Sequence, residues 1–312
     1  MYDIFLVGNA TMDLIFSGLP RMPILGEDTF ADKFEYTPGE AFINAVTMHR
    51  LGLKVAWAAD FGNDLFSNLI LVEVRKAGLS EAYFIHHDHP FRRVSVSASF
   101  QDDRGFLTHY DPEPPLSAAL KALPCVEAKA IFIPGLIHGL IFDAAVPIVK
   151  MKKMQILMDG NCPKEFSHES KSISRALKQV DVFLPNAKEA RFLSGYENLE
   201  DAARKLSEFC PLVVLKDGEK GALAYDRETM YHLPGITVNP LDTTGAGDCF
   251  SSGFVKAWID AKPIRECLAW GNICGGLSTL GFGGTTFFID EQVIKVNMAK
   301  HYPNIEISSL MI

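Results

Sequence analysis

The sequence has 312 residues, of which 48% are hydrophobic and 22% charged, so it excludes a disordered chain and allows a large buried core. Thirty basic residues against 38 acidic ones leave a formal charge of −8, and no run of five lysines or arginines occurs, which argues against nucleic acid or an anionic membrane as partner. Six cysteines are too few for a disulfide framework, and neither a basic leader nor a long apolar stretch is present, so we expect a cytoplasmic protein with small-molecule partners.

The first half of the chain predicts alternating strands and helices, interrupted by half-exposed segments. The predicted elements are a strand at 4–7 that ends at Gly8, a strand at 29–36, a helix at 41–51, a strand at 55–59, a helix at 65–77 and a hairpin at 94–100 and 105–110. Two half-exposed segments, about 14–36 and 91–111, lie far apart in sequence but can pair as one small sheet outside the main core.

The second half has the pattern of a parallel sheet. It contains short apolar strands separated by helical stretches, then a hairpin and two helices: strands at 130–133, 155–158, 182–184 and 212–215, the hairpin at 222–225 and 230–233, and helices at 246–261 and 264–280. This alternation predicts an α/β fold, a mostly parallel sheet with helices on both faces. The length permits one large domain or two unequal ones.

A glycine-rich turn before the helix at 246–261 is the strongest functional signal. The segment 242–248 reads Asp-Thr-Thr-Gly-Ala-Gly-Asp and brings the N–H groups of Gly245, Ala246 and Gly247 to a helix start, which predicts an anion hole for a phosphate. Asp248 in the first helical turn is either a functional carboxylate or a plain helix cap. The chain has no Gly-x4-Gly-Lys-Ser/Thr motif and no Gly-x-Gly-x-x-Gly turn after its first strand, which excludes a P-loop ATPase and a dinucleotide-binding dehydrogenase.

The same segment, 242–248, resembles the C-terminal signature of the PfkB carbohydrate kinases, the ribokinase-like sugar kinases. Further segments resemble motifs of this family, in family order: Gly8 with Asp13, Gly39 and Asn44 before Arg50-Leu51-Gly52, Gly62-x-Asp64, Asp159-x-Asn161, Asn186-Ala187-Lys188-Glu189 and Lys216-Asp217-Gly218-Glu219-Lys220-Gly221. The resemblance implies a single ribokinase-like domain over 1–312, with a Rossmann-like core and a small β-sheet lid formed by about 14–36 and 91–111. It also implies an ATP-dependent kinase that frequently forms a homodimer through its lids.

The resemblance also implies roles for single residues. Asp248 accepts the proton of the attacking hydroxyl, beside the anion hole of Gly245, Ala246 and Gly247. The other implied contacts are Asp13, Gly39, Asn44 and Glu40 at the substrate, Asn186, Lys216, Gly218, Gly221, Thr243 and Asn272 at ATP, and Glu189 with Asn186 at Mg²⁺ through water. These roles agree with phosphoryl transfer, which needs an oriented hydroxyl, an acceptor for its proton and neutralisation of phosphate charge.

Several readings stay open. Asn186 and Glu189 can instead be surface residues that open a helix at 187–193, and Lys216 and Lys220 can be solvated turn lysines. Where the family usually has paired glycines, Glu40 follows Gly39, and Asn44 lies one position off relative to the Arg-Leu-Gly at 50–52. Glu40 is then either an extra acceptor for a substrate hydroxyl or a solvent-facing residue.

Two further sites are considered for metal ions. A monovalent cation near Asp242 and Thr244 is possible, although the tail at 281–286 lacks the usual family spacing. His86, His87 and His89 form a histidine cluster, which we expect to be exposed loop residues rather than metal ligands.

Three function classes follow from these residues. The first is ATP-dependent phosphorylation of a hydroxyl of a sugar or sugar-like substrate. The second is a nucleoside or vitamin-precursor kinase of the same superfamily. The third is a catalytically silent ligand-binding regulator on the same fold, since fold does not guarantee activity. The intact Asp248 with Gly245 and Gly247 favours a kinase.

Overall fold

The computed structural model describes residues 1–100, 104–112, 116–161 and 171–305, which form two sheets surrounded by helices. The strands are β1 (Tyr2–Val7), β2 (Ala10–Ser17), β3 (Lys33–Glu40), β4 (Val55–Phe61), β5 (Tyr83–His86), β6 (Arg93–Ser99), β7 (Arg104–Tyr110), β8 (Ala128–Ile133), β9 (Gln155–Asp159), β10 (Val182–Leu184), β11 (Leu212–Lys216), β12 (Ala222–Tyr225) and β13 (Met230–Leu233). The helices are α1 (Ala41–Arg50), α2 (Leu65–Lys76), α3 (Ser117–Ala122), α4 (Leu140–Met151), α5 (Lys171–Leu177), α6 (Ala187–Ser194), α7 (Leu199–Ser207), α8 (Ala246–Ile259), α9 (Ile264–Ser278) and α10 (Glu291–His301).

The large sheet has the strand order β13-β12-β11-β10-β9-β8-β1-β4-β5. Its strands from β11 to β5 pair in parallel, and β12 and β13 extend it as antiparallel strands. Side chains alternate across the sheet: Ile4 and Leu6 enter a core with α1, α8 and α9, whereas Phe5 and Val7 enter a second core with α4 and α7. The predicted α/β fold with helices on both faces is therefore confirmed.

The small sheet has the order β3-β2-β6-β7 and lies outside this core. β2 pairs antiparallel with β3 and parallel with β6, and β6 pairs antiparallel with β7. The two half-exposed segments therefore pair, as we expected, through Leu14 opposite Val96. Residues 101–103 of the expected lid segment lie outside the described residues.

The predicted strand at 29–36 is wrong by four residues at each end, because β3 runs from Lys33 to Glu40. Pro38 and Gly39 are unfavourable in a strand interior, so the sequence predicts that the strand ends before them. Pro38 is tolerated because β3 is an edge strand and needs no second partner. The sequence also predicted no strand at 10–17, where β2 carries Asp13 in its middle.

The glycine-rich turn lies between the two sheets. It precedes α8, whose residues Phe250 and Phe254 are buried in the first core against α9. The helices at 246–261 and 264–280 are confirmed, each ending two residues earlier than expected. None of the helices in the described ranges is long and apolar enough to cross a bilayer.

Candidate active site

The turn before α8 is held by its own side chains. Asp242 is buried, and its Oδ1 accepts hydrogen bonds from the N–H (3.0 Å) and the hydroxyl (2.8 Å) of Thr244. Its Oδ2 accepts from the N–H of Gly283 at 2.8 Å. Gly245 then adopts a left-handed backbone with φ 75°, which glycine adopts without steric cost. Both carboxylate oxygens of Asp242 are thus used within the protein, and the monovalent cation expected near Asp242 and Thr244 remains a prediction.

The start of α8 offers open hydrogen-bond donors. Gly245 is the N-cap residue, and no side chain caps the helix. Ala246 donates its N–H to the carbonyl of Thr243 at 3.3 Å, whereas none of the described residues accepts from the N–H of Gly247 or Asp248. Of the expected trio, Gly245 and Gly247 therefore keep N–H groups with no acceptor among the described residues, that of Ala246 is used, and Asp248 adds a further open donor. With the helix dipole they favour an anion at this point.

Asp248 lies beside these donors in the first turn of α8. Burial raises the pKa of its carboxyl to about 8, and the negative charges of Asp159, Glu40 and Asp13 add to this while Lys216 opposes it. Its side chain makes no capping hydrogen bond, so the interpretation as a helix cap is wrong. A carboxyl group whose pKa lies near neutral pH, beside open N–H donors, can both release and accept a proton at that pH.

Helix α1 contacts the backbone of Asp248 through the side chain of Asn44. Asn44 is fully buried, and its Nδ2 donates to the carbonyl of Asp248 at 3.0 Å and to the hydroxyl of Ser252 at 3.2 Å. Its Oδ1 is buried with no hydrogen-bond partner among the described residues. Asn44, which the resemblance placed at the substrate, thus connects α1 with α8 and leaves one acceptor oxygen unused.

A buried ion pair lies on the other side of Asp248. The Nζ of Lys216 donates to both carboxylate oxygens of Asp159, at 2.6 and 2.8 Å, and to the hydroxyl of Ser251 at 3.2 Å. A Cβ atom at Gly247 would lie 3.8 Å from this ammonium group, so the positive charge reaches the glycine turn. The interpretation of Lys216 as a solvated lysine is therefore wrong, whereas Lys220 is 74% exposed.

Asp13 and Gly39 meet across the small sheet. Asp13 projects from β2, and a Cβ atom at position 39 would lie 2.2 Å from its Oδ2, so only glycine leaves room for this carboxylate. Burial raises the pKa of Asp13 to about 7, the charges of Glu40 and Asp242 raise it further, and Arg104 opposes this rise. Asp13, Glu40 and Asp248 therefore share one electrostatic environment.

Asn186 and Glu189 form a reciprocal helix cap on α6. The Oδ1 of Asn186 accepts the N–H of Glu189 at 2.9 Å, and Oε2 of Glu189 accepts the N–H of Asn186 at 2.7 Å. The open alternative, that this pair begins a helix, is thus correct as a description of the geometry. The described residues hold no cluster of three or more metal-binding side chains. The capped carboxylate still suits Mg²⁺ held through water, since this ion prefers oxygen ligands and keeps its waters.

The turn after β11 carries the remaining expected nucleotide contacts. Gly218 begins a 3-10 turn, and no atom lies within 4 Å of where its Cβ would be. Gly221 packs against the backbone of 233–235, and Asn272 holds the same segment by donating to the carbonyls of Leu233 (3.2 Å) and Pro234 (3.1 Å). Gly218 is therefore open to a ligand, whereas Gly221 and Asn272 stabilise the segment beside it.

Sequence reasoning did not single out Arg104, which reaches the turn from β7. Its Nη1 donates to the hydroxyls of Thr243 (2.8 Å) and Thr244 (3.2 Å) and lies 3.8 Å from Asp242. The signal available in the sequence was its place at the start of the alternating segment 104–110. The small sheet thus brings a positive charge to the signature loop.

A second group that sequence reasoning missed surrounds Glu40. One carboxylate oxygen of Glu40 accepts from Nη2 of Arg93 at 2.9 Å and the other from the hydroxyl of Tyr110 at 2.6 Å. The guanidinium of Arg93 also lies 3.7 Å above the Tyr110 ring. Glu40 is therefore paired rather than simply solvent-facing, and its role as an acceptor for a substrate hydroxyl stays a prediction. We name these three residues the Glu40 cluster.

The histidines divide into two kinds. His86 and His89 are exposed, as expected. His87 is partly buried, and its Nε2 lies 2.9 Å from Oδ1 of Asp60, a carboxylate that also accepts the N–H of Ala118 at 3.1 Å. The expectation of an exposed loop is therefore wrong for His87, which contributes to packing beside the sheet.

Comparisons with known proteins identify the family of this chain. The family model of the pfkB family carbohydrate kinases matches residues 1–291. The ribokinase of Bacillus subtilis is 25% identical over 296 residues, 91% of this chain and 94% of that protein. The cytidine kinase of Thermococcus kodakarensis is 31% identical over 127 residues, which span 39% of this chain and less than half, 45%, of that protein.

A solved structure has the same fold. The ribokinase of Arabidopsis thaliana complexed with ribose and ATP superposes with a TM-score of 0.76 at 19% identity, over 95% of this chain and 98% of that one. With the family match over nearly the whole chain, the signature turn and the paired sheets, this chain belongs to the pfkB family of carbohydrate kinases.

Proposed function

We propose that the protein transfers the γ-phosphoryl group of ATP to a hydroxyl group of a sugar or nucleoside, with Asp248 as the base. The observation that carries this proposal is the uncapped start of α8, where a carboxyl group with a pKa of about 8 lies beside the open N–H groups of Gly245, Gly247 and Asp248. A catalytically silent regulator has no need for this combination of a carboxyl group of raised pKa and open N–H groups at one helix start.

In the proposed reaction, the hydroxyl oxygen of the acceptor attacks the γ-phosphorus. The bond between this phosphorus and the β-γ bridging oxygen breaks, ADP leaves, and the hydroxyl proton passes to Asp248. The N–H groups of Gly247 and Asp248 and the nearby Lys216 and Arg104 offset the charge that spreads over the phosphoryl oxygens. Asp13 accepts hydrogen bonds from acceptor hydroxyls and so orients the reacting one.

Mg²⁺ would offset negative charge on the ATP phosphates. Asn186 and Glu189 are the residues that would hold its waters, since they present an amide and a carboxylate at the start of α6. Gly218 and Thr243 are the proposed contacts to the nucleotide, because Gly218 is open and Thr243 lies exposed in the signature loop.

Two classes of acceptor are supported by the relatives. The ribokinase match covers nearly the whole chain and favours a sugar, whereas the cytidine kinase match is shorter but more identical and favours a nucleoside.

A homodimer through the small sheet also remains part of the proposal. It is supported by large apolar side chains that β3 and β7 leave exposed, Phe34, Tyr36, Phe106 and Leu107.

A coupled ADP-release assay with ribose, fructose and cytidine tests the reaction and shows whether a sugar or a nucleoside is the preferred acceptor. Asp248→Asn should lower kcat on the best acceptor by about 10²–10⁴-fold, the usual contribution of a positioned base, while ATP and acceptor still bind. Asp88→Asn, which changes an exposed loop aspartate, is the matched control. Wild-type turnover in Asp248→Asn would remove this residue from the role of base.

A further inference from the structure

The Glu40 cluster occupies one end of the small-sheet face that carries Asp13. Asp13 pairs with Ser95 on β6, and Ser95 pairs with Thr108 on β7. Arg93 and Tyr110 pair with each other two residues away from that row, so their side chains point to the same side of the sheet. The cluster therefore borders the space in which an acceptor would meet Asp13.

Glu40 is kept in this position against the preference of its backbone. It has φ 53° and ψ −128°, a conformation that side chains with a Cβ rarely adopt and that glycine adopts readily. Strained residues of this kind persist where the surroundings demand the side chain and concentrate at functional sites. Here the demand comes from the two hydrogen bonds to Arg93 and Tyr110.

The charges around the site divide into paired and unpaired groups. Each of three cations lies within 4 Å of a carboxylate: Arg93 at Glu40 (2.9 Å), Lys216 at Asp159 (2.6 Å) and Arg104 at Asp242 (3.8 Å). In the described part of the chain, Asp13 and Asp248 have no cation within this distance. The acceptor side of the site therefore presents two carboxyl groups that have no cation of their own, and the arginine that borders it is already paired with Glu40.

We propose that Glu40 determines the charge of the acceptor: by neutralising Arg93, it makes the site accept neutral hydroxyl compounds and reject those that carry a phosphate or carboxylate. A phosphate that approached Arg93 would have to displace Glu40 and then face Asp13. A neutral polyol meets no such repulsion and donates hydrogen bonds to the carboxylate of Asp13. This inference rests on the proposed function and specifies its substrate class.

The test compares kcat/KM for neutral compounds with that for anionic partners in which a primary hydroxyl stays free. The probes are fructose with its 1-phosphate and 6-phosphate, cytidine with its 3′-phosphate, and glucitol with gluconate. We expect the wild-type protein to prefer the neutral member of a pair by at least about 100-fold, which a difference of about 2.7 kcal/mol in transition-state stabilisation produces.

The variant Glu40→Gly removes the carboxylate that pairs with Arg93 and suits the backbone at this position, so we expect it to fold. It should reduce the preference for the neutral compound at least tenfold, through a gain on the anionic one, and adding Arg93→Met should abolish this gain. The matched control is Asp111→Asn, which breaks the exposed bidentate pair of Asp111 with Arg92, just beyond the ends of β7 and β6, and should leave the preference unchanged.

A wild-type protein that is active but prefers an anionic acceptor would overturn the inference and leave the kinase function standing. An unchanged preference in Glu40→Gly would overturn it in the same way. If none of these compounds stimulated ADP release, the failure would lie with the proposed function, and the inference would fall with it. The wild-type comparison decides the matter even where the variant does not fold.

Discussion

The large sheet presents its charged groups from the ends of buried strands, whereas the small sheet presents them along one face of half-exposed strands. Asp159 and Lys216 are the last residues of β9 and β11, at the carboxyl edge where ligands of open α/β sheets bind. Asp13 lies in the middle of β2, and Arg93 and Arg104 begin β6 and β7. In the large sheet, the charged residues follow the buried part of each strand, so they can change without disturbing the core. In the small sheet, their position depends on strand register, because a shift of one residue turns every side chain to the other face.

Among the variants considered below, Gly39→Ala should have the largest effect, and the effect should be on binding of the acceptor. The added methyl group would overlap Asp13, so we expect KM for the acceptor to rise by about 10–100-fold while KM for ATP changes little. Steady-state kinetics with each substrate varied in turn measures this. Gly105→Ala is the matched control on the same sheet, since nothing lies within 4 Å of its Cβ position. A parallel rise in both KM values would contradict the assignment of Asp13 to the acceptor.

Arg104→Gln should weaken the contact between the small sheet and the glycine-rich turn before α8. The variant keeps a hydrogen-bond donor near Thr243 but loses the positive charge beside the anion hole, so we expect kcat to fall about tenfold. Single-turnover kinetics at saturating ATP separates this from slow product release. Arg92→Gln, at an exposed arginine just before β6, should leave the rate unchanged. A normal rate in Arg104→Gln would limit Arg104 to a structural role.

Glu189→Gln should have a smaller effect, confined to the large-sheet side. Glutamine still accepts the N–H of Asn186, so the helix cap remains and only the charge is lost. We expect the Mg²⁺ concentration for half-maximal rate to rise about 3–10-fold, with unchanged acceptor affinity measured without nucleotide. Glu197→Gln, at a side chain that is 98% exposed, is the control. An unchanged Mg²⁺ titration would leave Glu189 with the helix cap alone.

The smallest expected effect concerns stability. Because burial raises the pKa of Asp248 to about 8, the folded protein holds a proton that the unfolded chain releases near pH 4. The protonated carboxyl therefore favours folding at low pH, and this contribution is lost as pH rises toward 8. Asp248→Asn should be more stable than the wild type at pH 8–9, by at least about 2 °C in Tm, and similar at pH 4–5. An equal difference at both pH values would contradict the raised pKa.

The large sheet was the easier region to predict. Short apolar runs between helical stretches are typical of strands buried on both faces, and the strands at 182–184, 222–225 and 230–233 have the predicted bounds. The glycine turn at 242–248 was equally clear, since its residue types are needed for a left-handed backbone and a helix start.

The small sheet could be predicted only in part. β2 was not predicted because its polar residues Thr11 and Asp13 interrupt the apolar pattern that is typical of a buried strand. The bounds of β3 were predicted wrongly because Pro38 and Gly39 are typical of a turn. The partners of Glu40 could not be found at all: Arg93 and Tyr110 lie 53 and 70 residues away and meet it only through the pairing of β6 with β7. Contacts of this range depend on tertiary register, which local patterns do not contain.

The strand β3 passes directly into α1, since Glu40 ends the strand and Ala41 begins the helix. The edge of the small sheet and the helix whose Asn44 holds the carbonyl of Asp248 are thus one continuous piece of backbone with no loop to absorb a displacement. Any tilt of the small sheet over an acceptor must therefore move the support of the base as well. In the proposed reaction, we therefore expect seating of the acceptor and alignment of the proton acceptor to occur together, and a water molecule is too small to bring them about.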